Sequence, residues 1–315
     1  MNQHPKKQSL TKCFLLLLTI TITILGYCPQ AYAAENGYSY LRMPTQIIKI
    51  NNTYFIVDCG HNQIIYSDNL GAELQHWNVM TRNAQQPHAL ASDGEIYMVV
   101  DTDNDRVLTF EKKYDGFSPL QSFEHVGTRP HFVDYDYEKG IFYVWSSLTG
   151  EMYLYKKTPC TKSVTLQEIK SIPELSGCYA RSFTITESVI LFPTVERSSI
   201  LMVDKDTFEI LNEYPVPECI AGMVQVSLID GWFFITVSTD KQYDLRAAAI
   251  IRVNSLEELA TGNYENLYPL FGNDGTPYYV SRFDGAYYMI HENAAPNVYC
   301  FHAEHGAILD IKGIF

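Results

Sequence analysis

The sequence has little positive charge. It contains 23 lysine and arginine residues against 36 aspartate and glutamate residues, which gives a formal net charge of −13 at pH 7. Such an acidic surface repels phosphate backbones and anionic lipid headgroups, and this argues against nucleic acid as a partner. The expected partner is a small molecule, a peptide or a carbohydrate, and the chain is expected to be a monomer.

Long apolar runs are absent after residue 33. The one such run, residues 13–26, follows Lys6, Lys7 and Lys12 and precedes the small-x-small pattern of Ala31 and Ala33. It is shorter than the roughly 20 residues that a membrane-spanning helix needs. The pattern predicts a signal peptide over residues 1–33 and a secreted mature chain, extracellular or periplasmic, with no membrane attachment.

Several catalytic and cysteine motifs are also missing. The sequence has no H-E-x-x-H, no G-x-S-x-G elbow, no Gly-rich phosphate loop and no C-x-x-C pair. The predicted mature chain has five cysteines, an odd number that leaves one unpaired unless chains are linked. Export permits disulfides, and Cys178–Cys219 and Cys160–Cys178 are alternative candidate pairs.

An internal repeat determines the predicted fold. Pro44, Pro87 and Pro130 begin segments that align without gaps at a spacing of 43 residues. Each segment contains four short strands separated by turns, with no room for a long helix, which is typical of a propeller blade. Three further segments keep the pattern, around residues 180–192, 224–235 and 277–290.

The sequence therefore predicts an all-β protein, a single six-bladed β-propeller domain over residues 34–315 with four-stranded antiparallel blades. Residues 255–259 read as a capped helical turn inserted in an outer loop. The last blade needs a closing strand, and either residues 38–42 or residues 307–312 can supply it.

Residues 96–107 resemble the strand–loop–strand signature of the NHL-repeat propellers. That family includes lyases, hydrolases, ligand binders and scaffolds, so the resemblance implies a fold and leaves the activity open.

The repeat alignment also predicts which side chains surround one mouth of the central channel. The position after the proline gives one ring, and the position that closes the second strand gives another. All members can form hydrogen bonds, as in a water-filled polar mouth or in a ligand site. The first ring is Thr45, His88, His131, Arg181, Gln225 and Tyr279, with Tyr278 instead if the sixth blade slips by one residue. The second ring is Asp58, Asp101, Ser146, Thr194, Ser238 and Glu292.

These rings supply the candidate site. His88 and His131 come from neighbouring blades, and Arg181 follows them around the ring, so imidazole acid–base groups would lie beside a cation. The predicted catalytic residues are His88, His131, Arg181 and Tyr279. The predicted ligand-binding residues are Thr45, Asp58, Asp101, Gln225 and Glu292.

A divalent metal is a further expectation. The Pro-His placement resembles the amidating lyase that cleaves peptidyl-α-hydroxyglycine, and this resemblance implies a zinc held by three histidines. His88 and His131 match two of them, and His291 would have to serve as the third from a different loop. A second comparison, with calcium-dependent lactonases of the six-bladed class, implies Asp58, Asp101 and Glu292 instead.

The predicted function is therefore the binding of a small ligand at the channel mouth, with a metal-dependent lyase or hydrolase as the expected activity. The alternative is a non-catalytic interaction or ligand-binding scaffold.

Overall fold

Six four-stranded sheets account for most of the computed structural model, which describes residues 34–315. In each sheet the strands follow one another in chain order and pair antiparallel, so each sheet is a meander. The predicted six-bladed β-propeller is confirmed. The predicted signal peptide lies outside the described residues.

The first three blades follow the gap-free part of the repeat. Blade 1 consists of β1 (Pro44–Ile50), β2 (Thr53–Asp58), β3 (Gln63–Ser67) and β4 (Asn78–Thr81). Blade 2 consists of β5 (Pro87–Ser92), β6 (Ile96–Asp101), β7 (Arg106–Lys113) and β8 (Gly116–Phe123). Blade 3 consists of β9 (Pro130–Asp136), β10 (Ile141–Ser146), β11 (Glu151–Lys157) and β12 (Val164–Ser171).

The last three blades are less regular in strand length. Blade 4 consists of β13 (Thr184–Ile185), β14 (Val189–Thr194), β15 (Ser199–Asp204) and β16 (Ile210–Pro215). Blade 5 consists of β17 (Gly222–Ile229), β18 (Trp232–Thr239), β19 (Ala249–Val253) and β20 (Glu265–Asn266). Blade 6 consists of β21 (Thr276–Phe283), β22 (Ala286–Glu292), β23 (Val298–Glu304) and β24 (Ala307–Gly313).

Helical structure within residues 34–315 is limited to short 3₁₀ segments, and none of them is long and apolar enough to span a membrane. The longest, Leu256–Thr261, lies where the sequence predicts a helical turn, although the Ser255 side chain does not cap it. The others are Cys59–His61, Leu74–His76, Thr102–Asn104, Pro173–Leu175, Glu218–Ile220, Leu245–Ala247 and Tyr268–Phe271.

The ring closes without an exchanged strand. β24 comes from the C-terminal end of the chain and completes blade 6, and β21 of that blade contacts β1 of blade 1. Residues 38–42 form no strand. Instead, Glu35 bridges Asn78 at the outer edge of blade 1. Of the two candidate closing segments, the structure uses the C-terminal one.

Large aromatic side chains pack between neighbouring blades. Phe55 of blade 1 lies 5.5 Å from Tyr97 of blade 2, and Trp145 of blade 3 lies 4.7 Å from Phe192 of blade 4, between ring centroids. All four side chains are buried. Burying a large apolar side chain contributes roughly 1.5–3 kcal/mol, so these contacts hold the second strands of adjacent blades against each other.

The cysteines do not add covalent links to this packing. All five cysteines within residues 34–315 are free thiols. Neither Cys178–Cys219 nor Cys160–Cys178 is formed.

The inner strands share an irregularity at their channel-mouth end. In blades 1, 3 and 6 the register with the second strand skips one residue, at Thr45, His131 and Tyr278. Blade 2 skips two residues, including His88. A β-bulge of this kind redirects the side chain of the extra residue, and bulges are common beside functional sites.

Backbone strain accompanies these bulges. Met43, Gln86 and Arg129 each precede the proline that starts an inner strand, and each has a positive φ between 47° and 56°. A residue before proline normally prefers extended backbone, so left-handed conformations at this position require support from neighbouring groups.

Candidate functional site

The bulges bring His88 and His131 together at one mouth of the channel. Their ring centroids are 3.9 Å apart with an angle of 32° between the ring planes, and both side chains are buried. The two residues occupy equivalent positions in adjacent blades, so the repeat itself stacks the imidazoles.

Hydrogen bonds fix the tautomer of both histidines. His88 Nδ1 lies 2.8 Å from the carbonyl oxygen of Gln86, and His131 Nδ1 lies 2.8 Å from the carbonyl oxygen of Arg181. Because a carbonyl can only accept, each Nδ1 carries the proton. Each Nε2 therefore keeps its lone pair. Nε2 of His131 accepts a hydrogen bond from the Tyr179 hydroxyl at 3.3 Å.

Both imidazoles remain neutral well into the acid range. Burial, together with the charges of Arg129 and Arg181, lowers the pKa of His88 to about 3. Burial, followed by the charges of His88 and Arg181, places the pKa of His131 well below its usual value. At neutral pH the pair consists of two hydrogen-bond acceptors, available as bases or as ligands.

A loop before blade 4 adds a cation to this mouth. The guanidinium of Arg181 lies 5.1 Å from the centre of the Tyr179 ring and donates to Ser238 Oγ at 2.6 Å. Stacking on an aromatic face and a hydrogen bond at one end orient the planar guanidinium and leave its other N–H groups as donors.

A carboxyl group with an unusual pKa lies on the blade 6 side. Burial raises the pKa of Glu292 to about 7, and the charge of Arg181 partly offsets the effect. Its neighbour Tyr278 has a ring centroid 6.3 Å from that of His88. Burial and the charge of Glu292 raise the pKa of Tyr278 well above its usual value, so Tyr278 is a permanent donor.

Cys59 lies next to His88 at this mouth. Its Sγ lies 3.9 Å from Nε2 of His88, and the side chain is buried. Burial, together with the charges of Glu292 and Asp58, raises its pKa to about 12. The thiol stays protonated at neutral pH and is therefore unsuited to act as a nucleophile.

Asp58 and Asp101 lie outside this group. Asp58 Oδ1 accepts the backbone N–H of Arg42 at 2.8 Å, and Asp101 Oδ1 accepts that of Gln85 at 2.6 Å. Both carboxylates are fully buried. They hold the strained segment before each proline, so the structure places them as supports of the loops, away from the channel where the sequence suggested ligand contacts.

Three other residues of the predicted ring are also displaced. Thr45 Oγ1 donates to the carbonyl oxygen of His88 at 2.8 Å and is fully buried. Thr45 therefore stabilises the backbone of His88 and does not face the channel. Gln225 and Tyr279 line a cavity at the opposite end of the channel. In blade 6 the bulge falls on Tyr278, so Tyr278 joins the histidines.

His291 points away from the pair. Its Nδ1–H donates to the carbonyl oxygen of Asp274 at 2.9 Å, and its ring packs 5.2 Å from that of Tyr299. Pro277 pairs with His291 as Pro44 pairs with Asp58, so His291 is the blade 6 equivalent of the loop-supporting aspartates. Glu292 falls one position later and faces the mouth.

Residues 34–315 contain no group of three or more histidine, cysteine, aspartate or glutamate side chains placed to hold a metal ion. The structure brings together His88, His131, Arg181 and Glu292 of the predicted site residues. The sequence analysis missed Cys59 and Tyr179. The only signal for them is their position in the chain, since Cys59 follows Asp58 directly and Tyr179 lies two residues before Arg181.

No protein-family model and no curated protein sequence matches the chain. Solved β-propellers match it in fold. A candidate 6-phosphogluconolactonase from Bacteroides uniformis has a TM-score of 0.61 at 10% identity, covering 89% of this chain and 85% of that chain. A streptogramin B lyase has a TM-score of 0.60 at 15% identity, covering 89% and 87%.

A catalytically inactive virginiamycin B lyase from Staphylococcus aureus, with quinupristin, has a TM-score of 0.59 at 14% identity, covering 90% of this chain and 87% of that chain. At these identities the likeness establishes the propeller fold and nothing about the chemistry.

Proposed function

We propose that one mouth of the channel binds a small ester or lactone and breaks its carbon–oxygen bond by hydrolysis or elimination. This mouth is formed by Cys59, His88, His131, Tyr179, Arg181, Tyr278 and Glu292. The observation that supports this most is the stacked pair of neutral histidines, 3.9 Å apart, beside an oriented guanidinium. Hydrogen-bond acceptors and donors therefore lie side by side at this mouth.

The roles follow from the protonation states. With a pKa of about 7, Glu292 can act as a base at neutral pH. In hydrolysis it takes a proton from the water that bonds to the acyl carbon, the bond to the leaving alkoxide then breaks, and the alkoxide receives that proton. In elimination it takes a proton from carbon, and the bond from the adjacent carbon to the leaving carboxylate oxygen breaks as the double bond forms. Arg181 and Tyr278 then donate hydrogen bonds to the oxygen that becomes negative. Nε2 of His88 orients the attacked group or the water.

The protein is inferred to be secreted, and N-terminal sequencing of exported protein should give Ala34 as its first residue.

The descriptions of the matched propellers are consistent with this class of reaction. Two of the matched propellers are described as lyases and one as a candidate lactonase, the last named for an ester-type bond. We also propose, as part of the same hypothesis, that the chain is related to the NHL-repeat propellers and to the amidating lyase. His88 and His131 agree with that resemblance, and His291 does not.

Metal binding is the second part of the sequence-based hypothesis. His88 and His131 offer two Nε2 ligands, but a catalytic zinc usually has three protein ligands, and His291 is held in a separate aromatic pocket. The residues do not fit a three-histidine site. Asp58 and Asp101 of the alternative calcium set accept backbone N–H groups of Arg42 and Gln85, so the proposed reaction uses no metal. Elemental analysis of purified protein checks this: one zinc or calcium per chain would overturn it.

Turnover of three probes tests the proposal: phenyl acetate, the lactone dihydrocoumarin and quinupristin. We expect the wild type to convert at least one, and Glu292→Gln to slow that reaction by roughly 10²–10⁴-fold, the usual contribution of an acid–base group. His76→Gln is the control, because His76 is exposed. If no probe reacts and none raises the melting temperature, the non-catalytic scaffold becomes the preferred function.

A further inference from the structure

The other mouth of the channel contains a second cavity, of about 520 Å³. β9 begins beside the histidine pair, and Asp134, near its far end, lines this cavity. Phe132, Phe183 and Tyr279 form part of its wall and come from blades 3, 4 and 6. The ring centroid of Phe132 lies 5.4 Å from that of Phe183 and 6.3 Å from that of Tyr279.

Asp134 is an acidic residue of this cavity whose negative charge has no cationic partner among residues 34–315. Its carboxylate accepts the backbone N–H of Tyr135 at 2.8 Å, and within residues 34–315 it pairs with no lysine, arginine or histidine. Burial, together with the charge of Asp136, raises its pKa to about 6. An added cation would relieve both effects.

The other charges at this mouth are already paired. Arg282 lies 2.9 Å from Asp230, and Lys49 lies 2.5 Å from Asp284, in each case between a side-chain nitrogen and a carboxylate oxygen. Neither cation is therefore directed at Asp134.

The three serine and threonine hydroxyl groups of the cavity already donate their protons to backbone carbonyls. Ser227 Oγ donates to the carbonyl oxygen of Val280 at 3.2 Å, and Ser281 Oγ donates to that of Ile47 at 2.8 Å. Thr184 Oγ1 donates to the carbonyl oxygen of Val226. A hydroxyl that donates elsewhere presents only lone pairs, so these oxygens suit a ligand that donates hydrogen bonds.

We propose that this second mouth binds a small primary alkylammonium or arylalkylammonium ion. Its nitrogen would be paired with Asp134 and donate to the serine and threonine oxygens. Its carbon chain would lie against Phe132 and Tyr279, where aromatic faces attract both methylene groups and a cation. The single excess acid, the acceptor-only hydroxyls and the aromatic wall all favour this ligand class over an anion or a neutral molecule.

Isothermal titration calorimetry on residues 34–315 at pH 8 tests the proposal with n-butylammonium and 2-phenylethylammonium chlorides. We expect saturable binding of at least one, and at least tenfold weaker binding of n-butanol and butyrate. Asp134→Asn should weaken ammonium binding at least tenfold. Asp115→Asn is the matched control, because Asp115 is an exposed acid in the β7–β8 turn and does not line the cavity.

Circular dichroism and a melting curve show whether Asp134→Asn is folded, and Asp134→Ser is measured in its place if it is not. Equal binding of butanol and butylammonium, or unchanged affinity in the folded Asp134 variant, would overturn the proposal. Glu292→Gln should not change ammonium affinity, so this result is independent of the function proposed for the histidine mouth.

Discussion

The backbone carbonyl of Arg181 accepts the Nδ1–H of His131 at 2.8 Å, while the side chain of the same residue lies over Tyr179. One loop residue of blade 4 thus fixes the tautomer of a histidine in blade 3 and places a cation beside it. Because the carbonyl belongs to the backbone, substitutions of Arg181 remove the charge and leave the hydrogen bond to His131 in place.

The first prediction concerns stability in acid. The pKa of His88 is lowered from 6.5 to about 3, so the unfolded chain binds a proton below pH 6.5 that the folded chain does not. Its contribution to stability is complete above pH 6.5 and is lost as the pH falls toward 3. The slope for one such group is at most about 1.4 kcal/mol per pH unit.

His88→Gln should therefore flatten the pH dependence of the free energy of unfolding, measured by urea denaturation between pH 7.5 and pH 4. The slope is the readout, since the substitution also changes packing at every pH. His76→Gln is the control at an exposed site. Identical slopes for wild type and His88→Gln would contradict the buried, neutral state of this imidazole.

Glu292 leads to the opposite dependence. Its pKa is raised from 4.5 to about 7, so between these values the folded chain holds a proton that the unfolded chain has released. The wild type therefore loses stability as the pH rises through this range. Glu292→Gln cannot ionise, and we expect it to be about 1–2 kcal/mol more stable than the wild type at pH 8.

At pH 4 the difference between Glu292→Gln and the wild type should nearly disappear, because the wild-type carboxyl is then protonated in both states. Melting curves at the two pH values measure this. A variant that gains stability and loses activity would indicate that the buried carboxyl is kept for function at a cost to the fold.

Much of the fold was predictable because the first three blades share one spacing. Pro44, Pro87 and Pro130 each start a strand at an edge where the missing N–H is tolerated, and each marks the same step of the repeat. Since equivalent residues in adjacent blades lie at the same height, the contact between His88 and His131 followed directly from the alignment.

The later part of the ring was not predictable to the residue. β13 has only two residues, and Ser182 Oγ donates to the carbonyl oxygen of Val224 as Thr45 does to that of His88. Ser182 and Val224 are therefore the ring equivalents, one residue from Arg181 and Gln225. A bulge shifts the strand register by one residue, and no sequence pattern indicates where it occurs. A shift of one residue moves a side chain to the opposite face of the sheet.

A third prediction tests the structural role of the aspartates. Asp101 accepts the backbone N–H of Gln85 and lies 2.5 Å from Nε of Arg106. Asp101→Ala leaves a strained loop without its partner and should cost about 3 kcal/mol in the free energy of unfolding. Asp103→Ala removes a more exposed acid, paired with Arg129, and should cost less than about 1 kcal/mol.

Chemical denaturation of both variants measures the difference. Asp101→Ala should also retain the substrate preference of the wild type at low temperature, because Asp101 does not face the mouth. If Asp101→Ala had normal stability and no activity, the result would instead indicate that Asp101 contacts the ligand.

The last prediction separates two adjacent tyrosines. Tyr278 lies at the bulge, 6.3 Å from His88 between ring centroids, whereas Tyr279 lines the cavity at the opposite mouth. Replacing either by phenylalanine keeps the ring and removes one hydroxyl. Tyr278→Phe loses a donor to the oxygen that becomes negative, so we expect at least tenfold slower conversion of whichever ester or lactone probe the wild type uses. Tyr279→Phe should leave that rate within a factor of two. A loss confined to Tyr279→Phe would show that the sixth blade does not slip by one residue. Equal losses in both variants would contradict the separation of the two tyrosines, because successive side chains of a strand point to opposite faces of the sheet.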